Sequence, residues 1–329
     1  MTRPPEIPII DVSDMLANND ASARSRVAAQ IENACTGTGF FYVSGHGVPG
    51  GLIKEAFEAN VRFHEKPMEE KLRIKQNKWH RGYQAFASST LKSSARFPAA
   101  RHPNQLESFF LRHEVAEDHP DFMNKPLQGP NQWPDDPWFV DVVKRYDEAV
   151  RRLGHQLLPA FSLAVGEDEG FFGKLFDPPS TTLRLIHYPP APETREEDLY
   201  GIYPHTDYGF LTILSQDDVG GLQIQRVDGT WIDAPYIPDT FILNIGDILA
   251  RWTNDKFNST PHRVINKSSN RDRYSVAMFF DPNLESTVST LPRFADAQTN
   301  KYEDIRYADY FTLRLDANYP DRAGLEKTA

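Results

Sequence analysis

From Thr181 onward the chain breaks into short segments rich in apolar residues, spaced at close intervals, and this texture limits its fold more than any other feature. The candidate strands are 182–188, 210–214, 222–226, 230–233, 240–245, 262–266 and 273–280. Asp228-Gly229 between two of them marks a tight hairpin. Upstream the spacing is helical instead. Val27, Ile31, Ala34 and Cys35 share one face of a helix over 20–36, which Gly37 can end. Phe139, Val142, Val143, Tyr146, Val150, Leu153, Leu157, Phe161 and Leu163 mark a longer helix over 137–165. Pro137 suits its first turn and Gly166 its end. Helices first and many short strands later predict a barrel or sandwich with helices packed outside.

Shorter elements complete this reading: strands over 8–12 and 40–43, a helix over 52–64 and a C-terminal helix over 302–315, followed by a polar, loose tail. Residues 65–105 read differently, as a loop with little packing of its own. Basic residues there include Lys71, Arg73, Lys75, Lys78, Arg81, Lys92, Arg96 and Arg101. The expected organisation is an N-terminal region of helices and strands over 1–115 and a connecting segment with the long helix over 116–180. A core over 181–285 and a C-terminal helix and tail over 286–329 follow.

A net charge of −10 argues against a nucleic-acid partner, which calls for a basic face. Cys35 is the only cysteine, so no intrachain disulfide can form. The first twenty residues hold no apolar run of signal-peptide length, with Pro4, Pro5 and Pro8 among them, and no stretch approaches the ~18 apolar residues of a membrane span. The expectation is a soluble cytoplasmic protein.

The chemistry concentrates in the strand-rich part. His205 and Asp207 stand two apart, so a strand would present both on one face, and His262 can reach the same ion from a neighbouring strand. Two imidazoles and a carboxylate on one side of a metal suit non-haem Fe(II) and leave coordination positions open. The bland alternative makes them ordinary surface or hydrogen-bonding residues. Eleven positions after His262, alternation puts Arg273, Ser275, Ala277 and Phe279 on one face. A buried guanidinium needs an anionic partner, and Ser275 beside it fits a bound carboxylate, with an internal salt bridge as the competing reading. The same alternation aligns Arg184, Ile186 and Tyr188. Tyr188 can donate to a cosubstrate. Arg184 can meet an acidic group of a small-molecule substrate, or face solvent or a structural carboxylate at the barrel mouth.

These motifs, with Gly39-Phe40-Phe41-Tyr42-Val43-Ser44-Gly45-His46-Gly47-Val48-Pro49, Gly220-Gly221-Leu222-Gln223-Ile224 and Asn244-Ile245-Gly246-Asp247, resemble the isopenicillin N synthase-like non-haem iron, 2-oxoglutarate-dependent oxygenases. The resemblance implies a mainly β fold with α elements, a distorted double-stranded β-helix (jelly-roll) core with N-terminal and C-terminal helices around it. It implies Fe(II) held by His205, Asp207 and His262. 2-Oxoglutarate would be held by Arg273, Ser275 and Tyr188, with substrate near Arg184 and Phe279. Dioxygen would be the oxidant and ascorbate an auxiliary reductant, and the reaction would hydroxylate, desaturate or cyclise a small molecule with release of succinate and CO2. Ile186 departs from the family pattern, which often has asparagine there. His46 and His187 read as structural. Two alternatives stay open: an Fe(II) oxidase that needs no 2-oxoglutarate, and a non-catalytic jelly-roll binding protein.

Overall fold

The structure is a computed structural model that describes residues 6–18, 20–91, 96–120, 127–192, 198–296 and 298–318. Pro4, Pro5, Lys92 and the polar tail lie outside the described residues. The strands are β1 (Ile9–Asp11), β2 (Phe40–Ser44), β3 (Gly82–Gln84), β4 (Glu107–Arg112), β5 (Ser180–Tyr188), β6 (Ile202–His205), β7 (Leu211–Gln216), β8 (Leu222–Gln225), β9 (Trp231–Asp233), β10 (Phe241–Ile245), β11 (His262–Val264), β12 (Arg273–Asp281), β13 (Thr287–Val288) and β14 (Ile305–Arg306). The described α-helices are α1 (Ser13–Asn18), α2 (Ala21–Thr36), α3 (Gly50–His64), α4 (Met68–Arg73), α5 (Pro137–Ala164), α6 (Phe171–Leu175), α7 (Asp247–Trp252) and α8 (Tyr307–Asn318).

Eight strands form the major sheet in the order β1-β2-β10-β7-β12-β5-β4-β3, and β6-β11-β8-β9 form a minor one. Inward side chains of the two sheets meet in an apolar layer that includes Phe40, Tyr42, Ile186, Ile224, Ile242 and Ala277. The major sheet's other face packs on the helices. Strand β12 shows the division: Val276, Met278 and Phe280 join the helix-facing core, while Ala277 and Phe279 face the minor sheet. The strand spacing predicts a barrel or sandwich with helices outside and the family resemblance implies a jelly-roll, and the structure has this two-sheet architecture.

Local signals account for the outer layer. Asp20 caps α2 by accepting from the Ser22 amide, and Asp136 caps α5 by accepting from Phe139, with proline in the first turn. The helix α5 lies so close to β12 that a Cβ on Gly154 would stand 2.7 Å from the Phe280 ring. Phe210 packs against Phe161, Phe172, Phe176 and Trp252 at centroid separations of 5.3, 4.9, 4.8 and 5.8 Å. Each such buried ring stabilises the fold by about 1.5–3 kcal/mol. The Asp228-Gly229 turn joins β8 to β9, with Gly229 at φ +86° and Asp228 accepting from the Thr230 amide.

Two expectations need correction. Residues 65–105 are not a featureless loop, since they contain α4 and β3. Lys71 is buried and donates to Glu107 at 2.8 Å, while buried Arg81 donates to the main-chain oxygens of Trp79, Leu127 and His113. These two cations hold the fold together. The C-terminal helix is Tyr307–Asn318 and begins five residues later than expected, after the short β14 strand. Among the described residues, no helix is long and apolar enough to cross a membrane.

Candidate active site

The minor sheet brings the two histidines together. Strands β6 and β11 run antiparallel with His205 opposite His262, so their ring centroids lie 4.2 Å apart. Asp207 arrives by another route than strand alternation. β6 ends at His205, and Asp207 sits in the following turn, its carbonyl accepting from the Asp247 amide at 2.8 Å. The turn folds the carboxylate back beneath the two rings.

The hydrogen bonds around these residues leave one lone pair on each facing inward. Nδ1 of His205 donates to the Tyr203 carbonyl at 2.8 Å, and Nδ1 of His262 to that of Thr260 at 3.1 Å. A proton fixed on Nδ1 leaves Nε2 as the acceptor. Oδ2 of Asp207 accepts from Thr212 Oγ1 at 2.5 Å and from Asn244 Nδ2 at 2.7 Å. Oδ1 is left 3.7 Å from each Nε2, beyond ordinary hydrogen-bonding distance. The three donor atoms lie within 4.8 Å of one another. Burial, with His262 close by, lowers the His205 pKa to about 4, so its ring is neutral at physiological pH. Burial works against ionisation of Asp207, but the two imidazoles and the bonds from Thr212 and Asn244 outweigh it and hold its pKa below the usual value. Two imidazoles and one carboxylate, each braced from behind, could hold a ferrous ion.

Across the cavity, Arg273 is buried without a carboxylate in ion-pair contact among the described residues. Its Nε donates to the Gly220 carbonyl at 2.7 Å and Nη2 to Gln216 Oε1 at 3.2 Å, and Nη1 lies 3.5 Å from Ser275 Oγ. The guanidinium stacks 4.6 Å over the Tyr188 ring, which β5 sets opposite it in register. Asp217, whose charge Arg273 feels, accepts instead from the amides of Tyr274 and Val219. Ile186 faces Ser275 across the strand pair and contributes only apolar surface.

A cavity of about 140 Å³ opens beside the two-histidine, one-carboxylate set. Arg184, Phe110, Phe279, Asp281, Tyr203 and Phe311 are in its wall. Arg184 donates to Ser108 Oγ at 3.1 Å and Gln84 Oε1 at 3.0 Å and stacks 4.7 Å over Phe110. Both of these hydrogen-bond acceptors are neutral. His187 and His46 lie outside this cavity's wall. His187 bridges Glu107 and Asp272 at 2.8 and 2.7 Å, and His46 accepts from the Val48 amide and packs on Phe241. Sequence reasoning missed Thr212, Asn244, Gln216 and Asp281. The first three lie on the inward faces of β7 and β10, a position alternation could have flagged, and Asn244 already stands in one of the quoted motifs.

Comparison with known proteins places this geometry. Residues 179–282 match the 2OG-Fe(II) oxygenase superfamily, and residues 7–136 match the N-terminal region described for the non-haem dioxygenase in morphine synthesis. A 2-oxoglutarate-Fe(II) type oxidoreductase of Emericella nidulans is 35% identical over 312 residues, 92% of this chain and 87% of its own. A homoarginine-6-hydroxylase of Glycine max is 35% identical over 332 residues, 96% of this chain and 98% of its own. A Neurospora crassa protein crystallised with alpha-KG and thymine superposes with a TM-score of 0.82 at 30% identity, covering 94% of this chain and 96% of that one. The chain belongs to the 2OG-Fe(II) oxygenase superfamily. It is a 2-oxoglutarate-dependent dioxygenase that uses Fe(II) and acts on a small molecule.

Proposed function

We propose that His205 and His262 hold the ferrous ion through Nε2 and Asp207 through Oδ1, with Arg273, Ser275 and Tyr188 holding the distal carboxylate of 2-oxoglutarate. The observation that carries this reading is the commitment of the opposite atoms: both Nδ1 positions and Oδ2 are occupied by protein partners, so the remaining lone pairs converge on one point. When bound, iron and 2-oxoglutarate supply oxygen activation, in which O2 and 2-oxoglutarate become succinate and CO2 while a substrate C–H bond is oxidised. Thr212 and Asn244 fix the carboxylate's rotation. Arg273 and the Ser275 hydroxyl give a dicarboxylate its second anchor, so a bidentate grip sets its direction. The apolar lining of Ile186, Ile224 and Ala277 keeps water from the space between the two anchors.

Arg184 and Phe279 line the substrate subsite in this reading, and the substrate carries a carboxylate. The neutral partners of Arg184 support this, because a half-buried guanidinium on hydroxyl and amide oxygens keeps its charge available. A homoarginine-6-hydroxylase among the relatives acts on a molecule with such a group. We also assign residues 181–285 as the catalytic core and the chain to the isopenicillin N synthase-like branch, supported by the N-terminal motifs and their helices packed on the core. Buried Cys35, the single thiol, supports a reducing compartment such as the cytoplasm.

The test is succinate release and oxygen uptake by iron-loaded protein across a small-acid library, with and without 2-oxoglutarate. Turnover that depends on 2-oxoglutarate and vanishes in Asp207→Ala is expected. Equal uptake without 2-oxoglutarate would favour a direct oxidase instead.

A further inference from the structure

The strand that carries His205 is held by little of its own sheet. Among the described strands β6 pairs only with β11, and the pairing slips along its length. His205 faces His262 but Ile202 faces Val264, so three steps along β6 match two along β11. The surplus residue makes a bulge at Tyr203-Pro204, and Pro204 has no amide proton to give to a ladder. A metal-binding side chain at the end of such a strand needs an anchor from outside the sheet.

Asn104 supplies that anchor. Its Oδ1 accepts from the Tyr203 amide at 2.9 Å, and the following amide, that of Gln105, donates to the Tyr200 carbonyl at 2.9 Å. Asn104 is fixed in turn by its main chain, whose amide donates to the Ser89 carbonyl at 2.8 Å and whose carbonyl accepts from the Leu106 amide at 3.0 Å. Both main-chain polar groups of Tyr203 are thus committed, the amide to Asn104 and the carbonyl to Nδ1 of His205 at 2.8 Å. A residue before proline is confined to extended backbone, so pinning the amide also sets where the carbonyl points. That carbonyl selects the His205 tautomer, and with it the ring nitrogen that presents a lone pair. Asn104, Leu91 and Tyr203 line the cavity beside the two histidines. One side chain of the cavity wall therefore reaches His205 through a single intervening residue.

We propose that Asn104 is a positioning residue for His205: by holding the Tyr203 backbone it keeps the imidazole in the tautomer with the proton on Nδ1 and Nε2 open to the metal. Its effect on metal binding rests on the reading of His205 as a ligand of ferrous iron. The competing role is purely structural, with Asn104 tying the segment around Ser89 to the barrel. In that case its loss would lower stability and leave the imidazole as it was.

The test reads the imidazole itself, by nitrogen NMR of metal-free full-length protein labelled at histidine and tyrosine, with His205→Gln identifying the signal. The wild type should show His205 in the Nδ1–H tautomer alone and a Tyr203 amide protected from hydrogen exchange. Asn104→Ala should turn His205 into a mixture of tautomers and speed exchange of the Tyr203 amide at least tenfold. It should also weaken Mn(II) binding about three- to tenfold in calorimetry, the worth of one neutral hydrogen bond. Asn104→Asp keeps an oxygen at the same place and should restore the tautomer and the exchange rate. A wild-type tautomer in folded Asn104→Ala overturns the proposal, whatever the loss of stability. So does an unprotected Tyr203 amide in the wild type, which decides the matter if no variant folds. Mn(II) affinity separates the two readings. If His205→Gln binds Mn(II) as tightly as wild type, the ligand assignment fails and the tautomer result stands by itself; if His205→Gln loses affinity and Asn104→Ala does not, the positioning role fails.

Discussion

Asn244→Ala removes one of two braces on the carboxylate proposed to bind iron, and the structure sets the size of the effect. Asn244 Nδ2 donates to Asp207 Oδ2 at 2.7 Å, and Thr212 Oγ1 reaches the same oxygen at 2.5 Å. A hydrogen bond to a charged group contributes about 1.5–3 kcal/mol, and about 1.4 kcal/mol is tenfold in affinity. Loss of either brace leaves the other, so Asn244→Ala and Thr212→Ala should each weaken divalent-metal binding about tenfold. The double variant, with Oδ2 unbraced, should lose about a hundredfold. Asn244→Asp keeps the shape but sets a second carboxylate against the first, and should be worse than alanine. Anaerobic calorimetry with Fe(II), and with Mn(II) as a surrogate, measures this directly, while circular dichroism reports whether the fold is kept. Wild-type affinity in Asn244→Ala and Asn244→Asp, alongside a large loss in Asp207→Ala, would refute the idea that these braces tune the ligand.

Other outcomes follow from the same coordinates. Arg273→Lys keeps the charge but loses the planar fork over Tyr188, so the KM for 2-oxoglutarate should rise tenfold or more, read from succinate formation. Lys71→Met leaves Glu107 buried beside His187 and Tyr83 without its ammonium partner, and should cost about 3 kcal/mol, seen as a lower urea midpoint. Burial lowers the His64 pKa from 6.5 to about 3, so the folded protein keeps that ring neutral while the unfolded chain protonates it. Its contribution is therefore complete above pH 6.5 and is lost as pH falls toward 3, by up to about 1.4 kcal/mol per pH unit. Asp147 and Asp281, raised to about 6 by burial, tilt the other way between pH 3.8 and 6. The signature is thus the difference from His64→Gln, which should flatten stability between pH 6.5 and 3; identical slopes would contradict it.

The parts legible in the sequence were those where one physical period dominates. Alternation along 273–280 places Arg273, Ser275 and Phe279 inward because β12 is flanked by β5 and β7 and carries one face toward each core. The long helix was readable from its apolar stripe and from Pro137 in its first turn. What escaped were buried polar residues. Strand β4, Glu-Ser-Phe-Phe-Leu-Arg, is buried at every position, and its charged ends are inside because partners distant in sequence meet them there: Lys71 and His187 on Glu107, Thr182 and Ser180 on Arg112. Lys71 and Arg81 fell in a stretch read as loop because most of their partners, Glu107 and the carbonyls of Leu127 and His113, lie far along the chain. The position of Asp207 was right in space for a partly wrong reason: a turn, held through its own carbonyl, delivers it where strand alternation was expected.

Crystals grown without oxygen in ferrous iron and 2-oxoglutarate, with diffraction recorded at the iron absorption edge, test the central assignment most directly. One iron peak about 2 Å from His205 Nε2, Asp207 Oδ1 and His262 Nε2 is predicted, with a carboxylate of 2-oxoglutarate on Arg273. An iron peak elsewhere, or 2-oxoglutarate bound away from Arg273, would contradict it.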